Sequence, residues 1–342
     1  MTKRQGSQVP SAIERLLKAQ GSVTAGAVSR AAGVTRQAAY YHLRAQVRAG
    51  RLTAIGSGRG ARYVPTFEFQ RVLPIEGLRE DAIWSVVTEE VHGVSVRAKA
   101  LTIARFAFTE MLNNAIDHSG GTEVEIAIAT QPMLELRVAD DGVGAFAHFR
   151  DRLGLPDEFA AAFEITKGKR TTAPAEHSGQ GIFFTSRLVD RFGLESNGLR
   201  LTVDSNLADL AIGDSSVQRG TTVWWEIDPA TERESAAVIA PYTDAESLEF
   251  TRTRVHLRLL GGPSFISRAE AKRVADQLER FEEAEIDFTG VDDVGQGFVD
   301  ELFRVWATRH PQTRLIPISM SPAVERMVRL VAPPADSGGR SH

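Results

Sequence analysis

The run Arg105–Gly121, RFAFTEMLNNAIDHSGG, restricts what this chain can fold into more than any other stretch. Its apolar residues recur at helical spacing, with Leu101, Phe108, Leu112 and Ala115 on the side that would face a sheet. Glu110, Asn114 and Asp117 fall at i, i+4 and i+7 on a different stripe of the same helix, predicted over Val96 to Asp117. Two alternating stretches follow, Val124-Ile126-Ile128 and Leu134-Leu136-Val138, and read as strands. The second runs into Asp140-Asp141-Gly142-Val143-Gly144, a carboxylate beside a flexible turn.

Downstream, Ala145 to Glu176 reads as a polar, changeable segment. His177-Ser178-Gly179-Gln180-Gly181 makes a second glycine turn that opens a helix from Ile182 to Arg191. Leu199-Leu201-Val203 and Thr221 to Ile227 close the sheet. Glycines at 142, 144, 179 and 181 let backbone approach a ligand closely, and a helix N-terminus offers N–H groups to an anion.

Over residues 78–228 these boxes resemble, in order, the GHKL superfamily of gyrase, chaperone, histidine kinase and mismatch-repair ATPases. Glu110 to Asp117 (E-x-x-x-N-A-I-D) looks like the N-box, Asp140-x-Gly142-x-Gly144 like the adenine turn, and Gly179-x-Gly181 like the second glycine box. Gly220-Thr221 matches the family's Gly-Thr, and Phe163-Glu164-Ile165-Thr166-Lys167 resembles the kinases' lid. The resemblance implies ATP and Mg2+ as ligands. Asn114 would hold Mg2+ through a hard oxygen, and Glu110 would orient and deprotonate the group attacking the γ-phosphate. Asp117 belongs to the same nucleotide-binding set. Asp140 would accept from the adenine amino group with support from Thr221, and Lys167, Lys169 and Arg170 would neutralise phosphate. His177 stands where the family often has a first glycine. Sensor kinases usually carry Asn where Glu110 stands, and His92 is followed by Gly93 rather than an acid, which argues against histidine phosphorylation. Glu110 leaves slow hydrolysis and serine/threonine phosphorylation of the anti-sigma type both open. An ATP-gated DNA clamp is a third reading.

Charge divides the chain. Residues 1–65 hold 11 of the 40 Lys and Arg but 1 of the 44 Asp and Glu, a balance of +10 against −14 for the remainder. A basic head on an acidic body suggests an anionic partner for the head. Ser11 to Gln20 and Ala25 to Ala32 read as helices, Thr24 and Thr35 as caps, and Gly33-Val34 as a tight turn. A third helix, RQAAYYHLRAQVRAG, and a hairpin with the tip Gly56-Ser57-Gly58-Arg59-Gly60 follow. This order resembles a winged helix-turn-helix, which implies double-stranded DNA as partner. Arg36, Gln37 and Tyr40 would then meet base edges and Arg44 and Arg48 phosphates, with Arg59 and Arg62 on the wing.

The tail alternates strands and helices: Glu249 to Leu260, Ser267 to Phe281, Ala284 to Phe288, Phe298 to Thr308, Arg314 to Ile318 and Ser321 to Val331. Ile286-Asp287-Phe288-Thr289-Gly290-Val291 before a loop and helix resembles a STAS domain. Where phosphorylated members carry a serine, this chain has Gly295-Gln296-Gly297, so a protein-contact or self-association role, as in a homodimer, fits better than a phosphoswitch.

The expected fold is multidomain α/β. A winged helix-turn-helix occupies 1–66 and a linker with a helix 67–95. A GHKL α/β sandwich, a mixed sheet with helices on one face, takes 96–230. A small STAS-like α/β domain takes 248–333, and 334–342 is a disordered tail. Cysteine is absent, which excludes disulfides and thiolate metal sites. With no membrane-length apolar run and no signal-peptide pattern, a cytoplasmic location is expected.

Overall fold

The computed structural model describes residues 8–20, 22–48, 51–66, 69–91, 96–130, 133–168, 180–261 and 264–331. The basic head folds around its own core of Val9, Ala12, Ile13, Leu17, Val28, Leu43 and Tyr63. Helix α1 (Gln8–Gln20) leads to β1 (Val23–Thr24), α2 (Ala25–Ala32) and α3 (Arg36–Arg48). Both expected threonine caps form, with Ala27 N–H donating to Thr24 Oγ1 and Ala38 N–H to Thr35 Oγ1, each at 3.2 Å. Gly33 ends α2 at φ +64°, in the left-handed region where glycine has no Cβ to clash. The hairpin is β2 (Leu52–Ile55) and β3 (Arg62–Pro65), and β1 pairs with β3 to make a three-stranded antiparallel sheet.

The middle of the chain builds a seven-stranded sheet. Its elements are β4 (Phe69–Pro74), α4 (Glu80–Val91), α5 (Ala98–His118), β5 (Glu123–Ala129), β6 (Leu134–Asp140), α6 (Ala145–Leu153), α7 (Glu158–Lys167), α8 (Gly181–Leu188), β7 (Arg191–Ser196), β8 (Leu199–Asp204), β9 (Asp209–Asp214) and β10 (Thr221–Ile227). The strand order is β4-β5-β6-β10-β7-β8-β9 and every neighbouring pair is antiparallel. The sheet is therefore antiparallel rather than mixed, because β10 inserts between β6 and β7 and separates the two strands that run parallel. It also begins earlier than expected. Phe69–Pro74, inside the stretch read as linker, is its edge strand. The stretch from Ala145 onward, read as changeable, holds two capped helices. Gly154 ends α6 at φ +64°, and Asp157 accepts from Ala160 N–H to start α7. The helix expected to reach Arg191 stops at Leu188, and β7 begins there. Helix α5 lays Ile103, Ala104, Ala107, Phe108, Met111, Leu112 and Ala115 into the core, all 3% exposed or less.

After α9 (Ser235–Ile239), the tail forms β11 (Arg252–His256), β12 (Ser264–Phe265), α10 (Arg268–Ala275), β13 (Glu283–Asp287) and β14 (Asp293–Val294). A helix then runs through α11 (Gln296–Val299), a π-helical stretch Asp300–Trp306 and α12 (Ala307–Arg309), before β15 (Arg314–Ile318) and α13 (Pro322–Val331). Strands β11, β13 and β15 form a parallel sheet with β13 central. Within Glu249 to Leu260, one strand, Arg252–His256, is closed by a single 3-10 turn. A capping box holds α10, with Ser267 Oγ accepting from Glu270 N–H at 3.2 Å while Glu270 Oε2 accepts from Ser267 N–H at 2.7 Å. The hydrophobic core of this layer is continuous with that of the larger sheet. The Phe250 ring lies 4.7 Å from Phe183, 5.1 Å from Phe184 and 5.4 Å from Phe281. Among the described residues no helix is long and apolar enough to cross a membrane. The expected tail 334–342 lies outside the described residues.

Candidate functional site

Helix α5 serves as a rail with a glycine turn at each of two points. Midway along it, Gly181 at the start of α8 faces Glu110 so closely that a Cβ there would overlap Glu110 Oε2. At its end, Val143 N–H donates to the Ser119 carbonyl at 2.9 Å, and a Cβ on Gly142 would overlap that same carbonyl. Asn114 sits one helical turn after Glu110, between these two contacts, and is partly buried. Asp117, further along the same stripe, is exposed.

Across the sheet, Asp140 closes β6 and is the register partner of Thr221 on β10, which in turn pairs with Ser196 on β7. The Asp140 Oδ1 atom accepts from Gly142 N–H at 3.0 Å, and Thr221 Oγ1 accepts from Ala145 N–H at 2.9 Å. Burial pushes the Asp140 carboxyl up to about 6, against hydrogen bonds from Gly142 and Thr221 that pull it down. Its neighbour Asp141 has a different task. Thr122 N–H (2.7 Å), Glu123 N–H (3.0 Å) and Thr122 Oγ1–H (2.9 Å) all donate to it, and they hold it down at about 2. Asp141 therefore pins the turn, while Asp140 is the half-buried carboxylate between Gly142 and Thr221.

Two residues that sequence reasoning passed over complete this turn. Asn197 Nδ2 donates to the Val143 carbonyl at 3.1 Å, and Asn197 Oδ1 accepts from Ala147 N–H at 3.1 Å. Ser196 Oγ–H donates to the Gly220 carbonyl at 2.9 Å. Gly144 adopts φ +94° against Ser196 and Asn197, and Gly220 adopts φ +71° against the Asp140 carbonyl, so neither position has space for a side chain. The Asn197-Gly198 dipeptide is legible as a hairpin turn, but nothing local tells where the Asn197 amide points.

Lys167 departs most from expectation. It is 1% exposed, and its Nζ donates to Glu164 Oε1 (2.6 Å) and to the carbonyls of Asp276 (3.0 Å) and Arg273 (3.4 Å). The lysine expected at the phosphates is buried in the C-terminal layer, because Phe163 and its neighbours on α7 enter the shared core. The next residue, Gly168, has φ +75°, and a Cβ there would lie 2.6 Å from Phe183 and 2.7 Å from Phe250. Lys169, Arg170, His177 and Gly179 lie outside the described residues, as do His92 and Gly93.

On the head, Arg36, Gln37, Tyr40 and Arg44 line one groove of about 590 Å3 together with Gly56 to Gly58 of the hairpin. Arg48 and Arg62 are exposed but do not line it, and the Arg59 side chain lies outside the described residues.

Glycines at 142, 144 and 181 let the turns pack against Ser119, Asn197 and Glu110 where a Cβ would overlap them, and a half-buried carboxylate sits at one end. Among the described residues no group of three or more His, Asp or Glu could hold a metal. A cation here would need a hard oxygen such as the Asn114 amide plus waters and phosphate oxygens, the ligand set that suits Mg2+.

Residues 101–231 match the model of the histidine kinase-, DNA gyrase B- and HSP90-like ATPases. Residues 270–325 match a STAS-like domain of unknown function. The comparison with curated proteins finds no match. The chain thus carries an ATP-binding domain of the GHKL type followed by a STAS-like domain, in that order along the sequence.

Proposed function

We propose that this protein is an ATP-responsive, DNA-binding regulator, in which Mg-ATP in the GHKL domain controls a winged helix-turn-helix head. The observation that carries the DNA half is the single groove shared by Arg36, Gln37, Tyr40, Arg44 and the hairpin tip, on a segment of charge +10. Arginine and glutamine at the start of α3 suit base edges, and Arg44 suits phosphate. Coupling has a physical route. Arg15 on α1 lines a cleft with Asp190, Asp204, Glu226 and Asp228 of the ATPase domain. Burial, reinforced by the Glu135 charge, pushes the Glu226 carboxyl up to about 7 despite its pairing with Arg191. A charged surface of this kind changes its hold on the head when the domain beneath it shifts.

In the nucleotide site, Asn114 would hold Mg2+, which when bound would offset charge on the phosphate oxygens. Glu110 orients and deprotonates the attacking water, Asp140 and Thr221 hold the adenine edge, and Gly142, Gly144 and Gly181 admit the ligand's backbone contacts. Asp140 accepts from the adenine amino group most strongly as a carboxylate. Since its pKa in the free protein stands at about 6 and ligand binding favours the ionised form, ATP affinity falls as pH drops below that value. The expected loss is about tenfold per pH unit in nucleotide titrations. Asp140→Asn should bind weakly at all pH values with a flat profile; an equally steep profile in that variant would assign the titration to another group.

The regulator reading is tested by selecting duplex DNA from a random pool and measuring affinity with and without Mg-ATP. A difference of severalfold is expected, and equal affinities would remove the coupling. Arg44→Ala should weaken binding to all duplexes and lower the salt slope, whereas Arg36→Ala should relax preference at one base pair, at a cost of about 1–3 kcal/mol. γ-Labelled ATP separates the chemistries: label released as phosphate marks hydrolysis, and label retained on serine or threonine marks a protein kinase.

A further inference from the structure

At the seam between the large sheet and the C-terminal layer lies a cavity of about 290 Å3. Arg187 on α8, Arg233, and Arg254 and His256 on β11 line it together with Tyr242 and Ser205. Val203, Leu210 and Val238 give it an apolar wall. Two acids also line it, and both are already engaged. Asp204 Oδ1 accepts from the N–H groups of Asn206 (3.1 Å) and Leu207 (3.0 Å) while its Oδ2 faces Arg191, and Asp209 pairs with Arg258.

The cations are less balanced. Arg233 pairs with Asp190 at 3.0 Å and Arg254 with Glu285 at 2.6 Å, acids that do not line the cavity. Arg187 donates to the Phe183 carbonyl (3.3 Å), Ser186 Oγ (2.9 Å) and the Thr166 carbonyl (3.2 Å), and its guanidinium lies 3.6 Å from the Phe183 ring centroid. These partners are all neutral. Burial, with repulsion from Arg254, draws its pKa down against a hydrogen bond to Tyr242. His256 Nδ1 lies 3.1 Å from Asp287 Oδ2, a carboxylate that pairs with the imidazolium, whose Nε2–H would donate to an anion. A half-buried guanidinium that lacks a carboxylate can take an anion with several oxygens as a further partner.

We propose that this cavity binds a small phosphomonoester, with the phosphate on Arg187, Arg254 and His256 and the carbon body against Val203, Leu210 and Val238. Two arginines and a histidine lining one cavity suit a dianion with three acceptor oxygens better than a carboxylate with two. The volume is larger than a bare phosphate needs and sits at the small end of ligand sites, as a compact metabolite requires. Occupancy would be felt at the nucleotide. Arg187 lies on the helix whose first residue, Gly181, abuts Glu110, and it also holds the Thr166 carbonyl of α7.

Thermal unfolding of the full chain in saturating Mg-ATP provides the test, with glycerol 3-phosphate, inorganic phosphate and glycerol titrated at constant ionic strength. Glycerol 3-phosphate should raise the Tm saturably, inorganic phosphate should do so more weakly, and glycerol should not. Arg254→Gln, at a residue 42% exposed and tolerant of change, should weaken the apparent affinity about tenfold or more. Arg187→Gln should abolish it. Asn114→Ala, measured without ATP, should retain the shift, which separates this site from the nucleotide site. The proposal is overturned by an absent shift, by equal potency of phosphate and glycerol 3-phosphate, by wild-type behaviour of Arg254→Gln, or by loss of the effect in Asn114→Ala.

Discussion

Glu110→Gln is expected to bind Mg-ATP as tightly as the wild type and to release phosphate about 10²–10⁴ times more slowly, the range that a positioned general base supplies. Asn114→Ala should fail earlier, at binding. Losing an amide oxygen from the cation should lower nucleotide affinity in Mg2+ roughly a hundredfold, about 2.7 kcal/mol. The residual binding should then be indifferent to chelator. The two variants differ by one helical turn and should differ in which step they lose. Fluorescent-nucleotide titration beside a phosphate-release assay reads both. If Glu110→Gln turns over at the wild-type rate, the base lies elsewhere. If Asn114→Ala keeps a full response to Mg2+, the cation is held by other oxygens.

The second large effect is on stability. Lys167 and Glu164 are 2% and 4% exposed at their side chains and 2.6 Å apart, with the ammonium also on two carbonyls of the C-terminal layer. Lys167→Met keeps the volume but takes the ammonium away from the Glu164 carboxylate and both carbonyls. Breaking a buried pair from one side costs about 3–5 kcal/mol, or roughly 10 °C in Tm for a unit of this size. Lys167→Met with Glu164→Gln should recover part of the loss, since the uncompensated charge is gone. A single variant that melts within a degree or two of the wild type would mean that Glu164 is compensated by other partners. A double variant worse than the single would mean that the carboxylate serves further contacts.

What could be read from residues alone follows from how local each constraint is. The placement of Glu110 and Asn114 one turn apart on α5, and of Asp140 at the end of β6 beside a turn, was legible because helix period and turn chemistry are local constraints. Caps at Thr24, Thr35 and Ser267 were legible for the same reason. Strand β4 was not, because it is an edge strand: Phe69 is buried while Val72 is 57% exposed, so no two-sided apolar pattern marks it. Phe192 and Leu194 of β7 follow α8 so directly that their alternation merged with its apolar period. The two helices between Ala145 and Lys167 were announced only by Gly154 and Asp157, a C-cap and an N-cap, within a charged stretch. Lys167 could not be placed at all. A lysine four residues after a phenylalanine reads as exposed unless the partners of its ammonium, the carbonyls of Arg273 and Asp276, are known, and these lie more than a hundred positions away.

The aromatic seam around Phe250 has a consequence for how such a protein is inherited. An ATPase module excised before that residue would carry a raw wound, with Phe183 and Phe184 stripped of their neighbour and the Lys167 ammonium left without its carbonyls. The two segments that carry the family likenesses therefore share one hydrophobic core. Recombination that swapped either half would have to recut the other.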